Sequence, residues 1–184
     1  MRRIIYFTMI SLDGYMEKPG GSLDWVSVDE ELLRFINNLK RQVGGYLCGR
    51  GMYENNQALW STPDTQPMQD YEVELAQNWK QTPKIVFSST LARVEGNATL
   101  ERGDPVAVVV RLKEQTGPDL EVGGAQLVPT LIQAGLVDEY RLFVQPILMG
   151  DGRPIFPVLN QAVRLKLVET HTFHTGIVYL RYQR

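Results

Sequence analysis

Small or polar residues follow three of the segments whose composition is typical of β-strands. Glycines have no Cβ and let a backbone approach a ligand closely, and a helix that begins there offers unpaired N–H groups and a partial positive charge. Arginine and hydroxyl side chains beside them can form charge-assisted hydrogen bonds with a phosphate. The pattern therefore predicts a phosphate site where strands end. The residues that form it are Gly123-Gly124, Gly49-Arg50 and Ser88-Ser89.

Each of these motifs also has a structural interpretation that needs no ligand. Gly123-Gly124 would then be only a tight start for the next helix, Arg50 a solvated side chain, and Ser88-Ser89 a turn. The glycine pair also lacks the third glycine of the Rossmann dinucleotide fingerprint. The position of all three motifs at strand ends favours binding, because such ends can line one edge of a sheet.

A carboxylate follows the first predicted strand. Arg3–Ser11 is almost continuously apolar, which is typical of a central strand buried on both faces, and Asp13 comes two residues later. Ligands of open α/β sheets bind outside the carboxyl ends of the strands, so Asp13 is a candidate site residue. The alternative is an Asx-turn that Asp13 forms with Gly14.

Other residues that could do chemistry have weaker support. His171 and His174 have the spacing H-x-x-H, but residues three apart on a strand point to opposite faces, and no acidic or cysteine partner completes a set. We therefore expect no metal site. Cys48 has no neighbouring base and is interpreted as a small core residue. The absence of nucleophile-elbow, P-loop and H-E-x-x-H motifs leaves hydrolase and nucleoside triphosphatase functions without support.

The composition is that of one globular domain, residues 1–184. The chain is 43% hydrophobic and 22% charged, and a chain of this length can bury about 70% of its unfolded surface. The net charge of −2 gives no reason to expect nucleic acid or a membrane surface as a partner. We expect a cytoplasmic protein, because the single cysteine allows no internal disulfide and we find no signal peptide and no apolar run of 18 residues.

Strand-like and helix-like segments alternate through most of the chain. The predicted strands are Arg3–Ser11, Tyr46–Gly49, Lys84–Ser89, Leu100–Glu101, Leu120–Val122, Val137–Val144, Leu165–His174 and Ile177–Arg184. The predicted helices are Val28–Gln42, Arg50–Leu59, Gln69–Gln81, Pro105–Gln115 and Ala125–Ala134. This order predicts an α/β fold with a mostly parallel central sheet and antiparallel edge strands at the C-terminus.

Capping signals define the start of two helices. Ser27 with Glu30 three residues later predicts a capping box for the first helix, and Asp104-Pro105 predicts the N-cap and first position of the fourth. The valine-rich segment 106–110 would equally suit a strand. Pro63–Pro67 is predicted to be a loop.

A set of motifs occurs in a fixed order along the chain. They are Ile10-Ser11-Leu12-Asp13-Gly14, Gly49-Arg50-Gly51-Met52-Tyr53-Glu54, Val86-Phe87-Ser88-Ser89-Thr90-Leu91, Val122-Gly123-Gly124, Gly135-Leu136-Val137-Asp138-Glu139, Pro146, Gly150-Asp151-Gly152 and Phe156. This set resembles the dihydrofolate reductase-like family, in the branch of the reductase domain of the bifunctional riboflavin-biosynthesis deaminase–reductase. The resemblance covers essentially the whole chain and implies a dihydrofolate reductase-like three-layer fold. The cysteine and histidine zinc signature of the deaminase half is not present.

The resemblance implies a reductase that uses NADPH. In that fold the paired glycines carry a strained peptide bond and hold the pyrophosphate and nicotinamide side of the cofactor. Arg50 would contact the 2′-phosphate, and the serine pair would lie along the adenosine. Met52 stands where threonine is frequent, so backbone contacts of Gly51 would replace one hydroxyl. The implied cofactor-binding residues are Gly49, Arg50, Gly51, Met52, Ser88, Ser89, Gly123, Gly124, Ala125 and Gln126.

The chemistry that the resemblance implies is hydride transfer to a carbonyl or imine carbon of a small heterocyclic or ribosylamino-pyrimidine substrate. A 5-amino-6-(5-phosphoribosylamino)uracil reductase performs such a reaction. Asp13 matches an aspartate near the nicotinamide and is the first candidate for a proton relay. Trp25, Glu30 and Arg153 are the candidate substrate-binding residues. Only Arg153 and Lys18 could grip a substrate phosphate, which suggests a different substrate.

Two alternatives remain open. One is a dihydrofolate reductase, but its first-helix carboxylate has no unambiguous match because Asp29, Glu30 and Glu31 crowd that region. The other is an NADPH-binding protein without turnover. The resemblance also implies a homodimer, for which the apolar C-terminal strands would give a suitable edge.

Overall fold

The computed structural model describes residues 1–61 and 68–184. The predicted loop at Pro63–Pro67 lies outside the described residues. Within the described ranges, eight strands form one sheet, helices cover both of its faces, and two short strands pair separately. The predicted α/β class is confirmed.

The central sheet is mostly parallel. The strands are β1 (Ile4–Ser11), β2 (Tyr15–Glu17), β3 (Gly45–Gly49), β4 (Lys84–Phe87), β5 (Ala98–Glu101), β6 (Leu120–Gly123), β7 (Glu139–Gln145), β8 (Arg153–Pro154), β9 (Lys166–Thr172) and β10 (Val178–Gln183). The large sheet has the order β5-β4-β3-β6-β1-β7-β10-β9, and β2 pairs with β8. Strands from β5 to β7 run parallel, whereas β10 is antiparallel to β7 and β9, as the sequence predicted for the C-terminal edge.

Helices form the two outer layers. They are α1 (Glu30–Lys40), α2 (Arg50–Ser61), α3 (Asp70–Gln81), α4 (Pro105–Glu114) and α5 (Leu127–Gln133). Alternate residues of each strand point to opposite faces, so Tyr6 and Leu142 join the core under α4 and α5, while Phe143 joins the core under α1. The three-layer arrangement follows from this alternation. None of the helices in the described ranges combines the length and apolar character needed to cross a bilayer.

The first helix begins later than the sequence predicted. Asp29, and not Ser27, is the N-cap, and its side chain accepts a hydrogen bond from Leu32 N at 2.8 Å. Glu30 is the first helical residue, so the predicted Ser27–Glu30 capping box is wrong. The Ser27 carbonyl instead accepts a hydrogen bond from Gln145 Nε2 at 3.0 Å. Serine and aspartate are both good N-caps, and the docking of this loop against β7 decides between them.

The valine-rich segment is helical, and the glycine-led helix is short. Asp104 accepts hydrogen bonds from the backbone of Val106 and Ala107, which starts α4 as its capping signal predicted. Burial of one face against the sheet outweighs the weak helix propensity of valine. Helix α5 begins at Leu127, so Ala125 and Gln126, which the sequence placed in the helix, lie in the turn before it.

A buried group of charges joins the parallel and antiparallel parts of the sheet. Glu139 is inaccessible to solvent and accepts hydrogen bonds from Arg141 Nε at 2.7 Å, Gln183 Nε2 at 2.9 Å, and Arg3 and Arg181 at 3.1 Å. Desolvation opposes ionisation of Glu139, but these donors, led by Gln183 and Arg141, outweigh it and lower its pKa. The ionised carboxylate is therefore part of the stable core.

Replacing Glu139 by glutamine should destabilise the fold strongly. The amide would leave the buried Arg141 guanidinium without its carboxylate counterion, which costs about 3–5 kcal/mol of unfolding free energy. Urea unfolding at neutral pH measures this change. Glu169→Gln is the matched control, because Glu169 contacts Arg181 at 3.3 Å but its side chain is 42% exposed, and it should cost less than about 1 kcal/mol. Equal costs for the two variants would contradict this view of Glu139.

Candidate functional site

The carboxyl ends of β4, β3 and β6 lie side by side, as the sequence predicted. Strand β3 lies between the other two in parallel register, with Gly49 opposite Phe87 and Cys48 opposite Gly123. The residues that follow these strands therefore leave the sheet at one edge. The three phosphate motifs of the sequence form one continuous group there.

Two backbones meet at Gly49 and Gly124 without room for a side chain between them. A Cβ on Gly124 would lie 2.8 Å from Gly49 Cα, and Gly124 has a φ of 125°, which side chains rarely allow. A Cβ on Gly123 would overlap the sulfur of Met52. The Met52 side chain thus packs against the glycine pair, and the exposed groups of this contact are main-chain groups.

The resemblance implied a strained peptide bond at the glycine pair. The residues that the structure describes contain no cis peptide bond. Glycine is required at position 124 by its positive φ and by the close approach to Gly49. The strained peptide bond itself stays a prediction from the resemblance.

Arg50 begins α2 and is held on two sides. Its Nε donates to Glu54 Oε1 at 3.0 Å, and its Nη1 donates to Thr90 Oγ1 at 2.9 Å. The Ser88 hydroxyl lies 3.4 Å from Thr90 Oγ1. A guanidinium and two hydroxyls thus converge at the start of a helix, which is a donor set suited to a phosphate. We call the following residues the phosphate edge: Gly49, Arg50, Ser88, Thr90 and Gly124.

Two residues of this region were missed by the sequence analysis as site residues. Thr90 was quoted only within the Val86–Leu91 motif, although its hydroxyl is the partner of Arg50. Arg102 follows β5 and donates to the carbonyls of Ser88 at 3.3 Å, Ser89 at 3.0 Å and Leu91 at 2.6 Å. It holds the loop after β4 in place. No local pattern could identify Arg102, because its partners are 11 to 14 residues away.

Three further predicted cofactor residues lie around this edge. Gly51 is exposed in the first turn of α2, and an added Cβ would meet no atom within 4 Å. Ala125 is partly buried and Gln126 is exposed, both in the turn before α5. The structure therefore brings all ten predicted cofactor residues to the ends of β3, β4 and β6.

A cleft of ≈ 290 Å³ adjoins the phosphate edge on the face of the sheet that α5 covers. It is shared by β1, β2, α5 and the segment after β7. Apart from Tyr6 and Arg153, its side chains are apolar. The lining residues are Tyr6, Met16, Gly124, Ala125, Val128, Pro129 and the segment 153–158.

Tyr6 lines the cleft and is almost wholly buried. Burial raises the pKa of Tyr6 to about 12, so the phenol stays protonated at physiological pH. Its hydroxyl donates to the sulfur of Met16 at 4.0 Å, which is a weak acceptor, and a hydrogen bond with the Thr8 side chain opposes the effect of burial on its pKa. The sequence analysis did not identify Tyr6, because it is one residue of a continuous apolar strand.

Arg153, which the sequence assigned to substrate binding, lies in the cleft wall and is already paired. Its Nε donates to the carboxylate of Glu17, and the two residues face each other in the β2–β8 pair. Gly152 has a φ of 150°, and an added Cβ there would overlap the Glu17 carbonyl. Ile155 N donates to Gly14 O at 3.0 Å. These main-chain contacts fix the position of the ion pair.

Asp13 holds a loop. Its carboxylate accepts hydrogen bonds from Met149 N at 3.1 Å and Gly150 N at 2.7 Å. Hydrogen bonds from Ser11 and from the Gly150 and Met149 amides lower the pKa of Asp13 to about 2. An ionised carboxylate with its oxygens occupied is a poor proton donor. This geometry disfavours Asp13 as a proton relay. The alternative of an Asx-turn with Gly14 does not include the hydrogen bonds from the Met149 and Gly150 amides.

Trp25 and Glu30, the other candidate substrate residues, lie outside the cleft lining. Trp25 is 8% exposed, and its indole N–H has no hydrogen-bond partner among the described residues. Glu30 is exposed and pairs with Arg34 at 2.8 Å, which in turn contacts Asp70 on α3. The structure does not bring Glu30 and Arg153 together, so the predicted substrate set is not a single group.

His174 has two acidic neighbours, so the statement that no acidic partner completes a set is wrong. It lies beyond the end of β9, where strand alternation no longer applies. Its Nδ1 contacts Glu31, its Nε2 lies 3.4 Å from Asp29 Oδ2, and these three groups have ligand atoms within 4.8 Å of one another. The hydrogen bond with Glu31, and then the charges of Asp29 and Glu31, raise the pKa of His174.

Comparison with known proteins agrees with this architecture. The family model of the RibD C-terminal domain matches residues 2–179. The uncharacterized protein YyaP of Bacillus subtilis (strain 168) is 34% identical over 191 residues, which cover 98% of this chain and 94% of that protein.

Three solved structures have the same fold. A candidate riboflavin biosynthesis protein from Shewanella sp. PV-4 superposes with a TM-score of 0.73 at 23% identity, covering 100% of this chain and 99% of that one. The diaminohydroxyphosphoribosylaminopyrimidine deaminase/5-amino-6-(5-phosphoribosylamino)uracil reductase of Thermotoga maritima gives 0.69 at 15% identity, with 99% and 56% covered. A dihydrofolate reductase from Enterococcus faecalis complexed with NADP(H) and RAB-propyl gives 0.62 at 16% identity, with 99% and 96% covered. The fold is thus dihydrofolate reductase-like.

Removal of the Asp13 carboxylate should loosen the loop that it holds. In Asp13→Ala, the amides of Met149 and Gly150 lose their acceptor, and their hydrogen exchange should accelerate by about an order of magnitude. Asp151→Ala is the control, because Asp151 accepts only from Gly152 N at 2.7 Å among the contacts described, and it should affect that amide alone. Unchanged exchange at both amides in Asp13→Ala would contradict the bracing role.

The ion pair of His174 should make stability depend on pH. The raised pKa means that its contribution is complete below the ordinary value of 6.5 and is lost as the pH rises through the higher value of the folded state. The melting temperature of His174→Gln should therefore lie below that of the wild type near pH 6 and approach it near pH 9. A difference that does not change with pH would contradict the protonated ion pair.

Proposed function

The chain belongs to the RibD C-terminal domain family, and from this membership and the phosphate edge we propose that it is an NADPH-dependent reductase. The observation that carries the proposal is the contact between Arg50 Nη1 and Thr90 Oγ1 at 2.9 Å, with the Ser88 hydroxyl beside it. These donors suit the 2′-phosphate that distinguishes NADPH from NADH.

The residues of the edge fit the cofactor. Gly49 and Gly124 bring two main chains into contact with no side chain on either, so a pyrophosphate would meet main-chain groups there. Glu54 holds Nε of Arg50, which orients the guanidinium towards Thr90. Arg102 fixes the loop that carries both hydroxyls. The phosphate site therefore has a charged group, two hydroxyls and a supporting residue.

NADPH supplies a hydride when bound, and this hydride with one proton reduces a carbonyl or imine bond of the substrate. The cleft begins at Gly124 and Ala125, next to the phosphate edge, so the substrate would lie there. Its apolar walls would limit the contact of the reacting atoms with water. The proposed substrate is a small heterocyclic or ribosylamino-pyrimidine compound.

Tyr6 is a better candidate than Asp13 for contact with the substrate. Its phenol is protonated and Tyr6 lines the cleft, whereas the Asp13 carboxylate is ionised and accepts hydrogen bonds from the amides of Met149 and Gly150. A neutral phenol can donate a hydrogen bond to the carbonyl or imine that receives the hydride, and so orient it. The homodimer and the cytoplasmic location stay predictions from the sequence.

Titration with NADPH and NADH tests the cofactor assignment. One or two charge-assisted hydrogen bonds to the 2′-phosphate, each worth about 1.5–3 kcal/mol, predict that NADPH binds about tenfold or more tightly than NADH. Arg50→Ala should remove this preference. Arg93→Ala is the control, since Arg93 is an exposed arginine paired with Glu95, and it should leave the preference unchanged.

Each of the following results would contradict part of the proposal. Binding of neither nucleotide would leave only the fold assignment. Binding of NADPH that is insensitive to Arg50→Ala would move the 2′-phosphate away from the phosphate edge. If NADPH binds but none of the substrates tested causes its oxidation, the chain is an NADPH-binding protein without turnover. Inhibition of NADPH oxidation by antifolates would instead indicate a dihydrofolate reductase.

A further inference from the structure

We propose that the cleft selects an uncharged heterocycle without a phosphate group, and that Glu17 enforces this selection by occupying Arg153. This inference rests on the proposed function and specifies the class of its substrate. It departs from the phosphorylated substrate named for the reductase of Thermotoga maritima.

The cleft has almost no groups that could bind an anion. Among its lining side chains only Tyr6 and Arg153 carry polar nitrogen or oxygen atoms, and the others are aliphatic, aromatic, proline or methionine side chains. Its volume of ≈ 290 Å³ is at the lower end of the range for small-molecule sites, which suits a compound of one or two rings. A phosphate there would depend on Arg153 alone.

Arg153 is balanced by a carboxylate that cannot move away easily. Glu17 lies opposite Arg153 in the β2–β8 pair, and its side chain is only 18% exposed. The close approach of Gly152 to the Glu17 main chain holds the two strands together. A phosphate that reached Arg153 would therefore stand beside the Glu17 carboxylate, and this repulsion is poorly screened because little water reaches Glu17.

The second basic residue near this region is also paired. Lys18 follows Glu17 in the chain, and its Nζ lies 2.8 Å from Asp24 Oδ1. Both cations that the sequence offered for a substrate phosphate thus have carboxylate partners of their own. In the described contacts, the positive charge of each is already balanced by a carboxylate, so neither is available to bind an anion.

The phosphate edge differs from the cleft, although Arg50 also has a carboxylate partner. Glu54 is 43% exposed, so water screens its charge much better than that of Glu17. The edge also supplies the Thr90 and Ser88 hydroxyls and the start of α2, and the cleft has no such set around Arg153. The phosphate edge therefore favours binding of a phosphate, whereas the cleft near Arg153 disfavours it.

Tyr6 provides the polar contact that an uncharged ring needs. Tyr6 and Met16 both line the cleft, and the Tyr6 hydroxyl donates to the Met16 sulfur at 4.0 Å, a weak acceptor that a carbonyl oxygen or ring nitrogen would replace favourably. The walls at Val128 and Phe156 offer apolar contact to the faces of the ring. Apolar walls with one neutral donor recognise an uncharged planar compound.

The test compares two compounds that differ by one phosphate, 5-amino-6-(ribosylamino)uracil and its 5′-phosphate. Binding is measured by calorimetry under anaerobic conditions, with and without saturating NADPH. The wild type should bind the compound without phosphate at least about tenfold more tightly. Glu17→Gln should tighten binding of the 5′-phosphate by about tenfold, because the amide keeps the size of the side chain and removes the charge.

Two further variants locate the effect. Glu95→Gln removes a carboxylate from an exposed pair with Arg93 outside the cleft, and it should leave both affinities unchanged. Tyr6→Phe keeps the ring and removes the hydroxyl, and it should weaken binding of the compound without phosphate by about tenfold. Thermal unfolding of each variant checks that the fold is intact.

The outcomes separate this inference from the proposed function. Equal or tighter binding of the 5′-phosphate by the wild type, or binding of neither compound, would overturn the inference even if NADPH is oxidised. An unchanged affinity for the 5′-phosphate in Glu17→Gln would overturn the role of Glu17. Preferential binding of the compound without phosphate, with no oxidation of NADPH by either, would refute the reductase proposal and leave the selectivity of the cleft standing.

Discussion

The contact between two main chains at Gly49 and Gly124 is the constraint on which the phosphate edge depends. Strands β3 and β6 are adjacent and parallel, so the residues that follow them leave the sheet in the same direction and share the same space. A Cβ on Gly49 would lie 3.2 Å from Gly124 Cα, and one on Gly124 would lie closer still to Gly49. Because neither side chain is present, α2 can begin at Arg50 directly after the strand, and its guanidinium reaches the loop after β4.

Most described elements were predictable because their patterns are local. Buried strands appear as continuous apolar runs, helices show apolar residues at helical spacing, and Asp104 with Pro105 marks a helix start whatever surrounds it. The prediction of where α1 begins was wrong because two good N-cap residues, Ser27 and Asp29, stand close together. The hydrogen bond from Gln145 to the Ser27 carbonyl comes from a strand 118 residues away, and no local pattern contains it.

The candidate site also has a part that local motifs predict and a part that only the fold reveals. Glycines, an arginine and hydroxyls at strand ends form recognisable local motifs, so the phosphate edge was predictable in large part. The partners of the charged groups were not. Asp13 and Gly150 are 137 residues apart, Glu17 and Arg153 are 136 apart, and Glu31 and His174 are 143 apart. A sequence shows where a carboxylate stands in the chain. Only the fold shows which amide, guanidinium or imidazole it contacts, and that contact decides whether the carboxylate can donate a proton, hold a loop or balance a positive charge.

The single thiol of the chain lies at the centre of this arrangement. Cys48 is fully buried in β3 directly before Gly49, and burial raises its pKa to about 12, so the reactive thiolate is scarce at neutral pH. An alkylating reagent can reach it only when β3 separates from its neighbours. The rate at which Cys48 is labelled therefore measures how often the sheet opens beside the contact between Gly49 and Gly124.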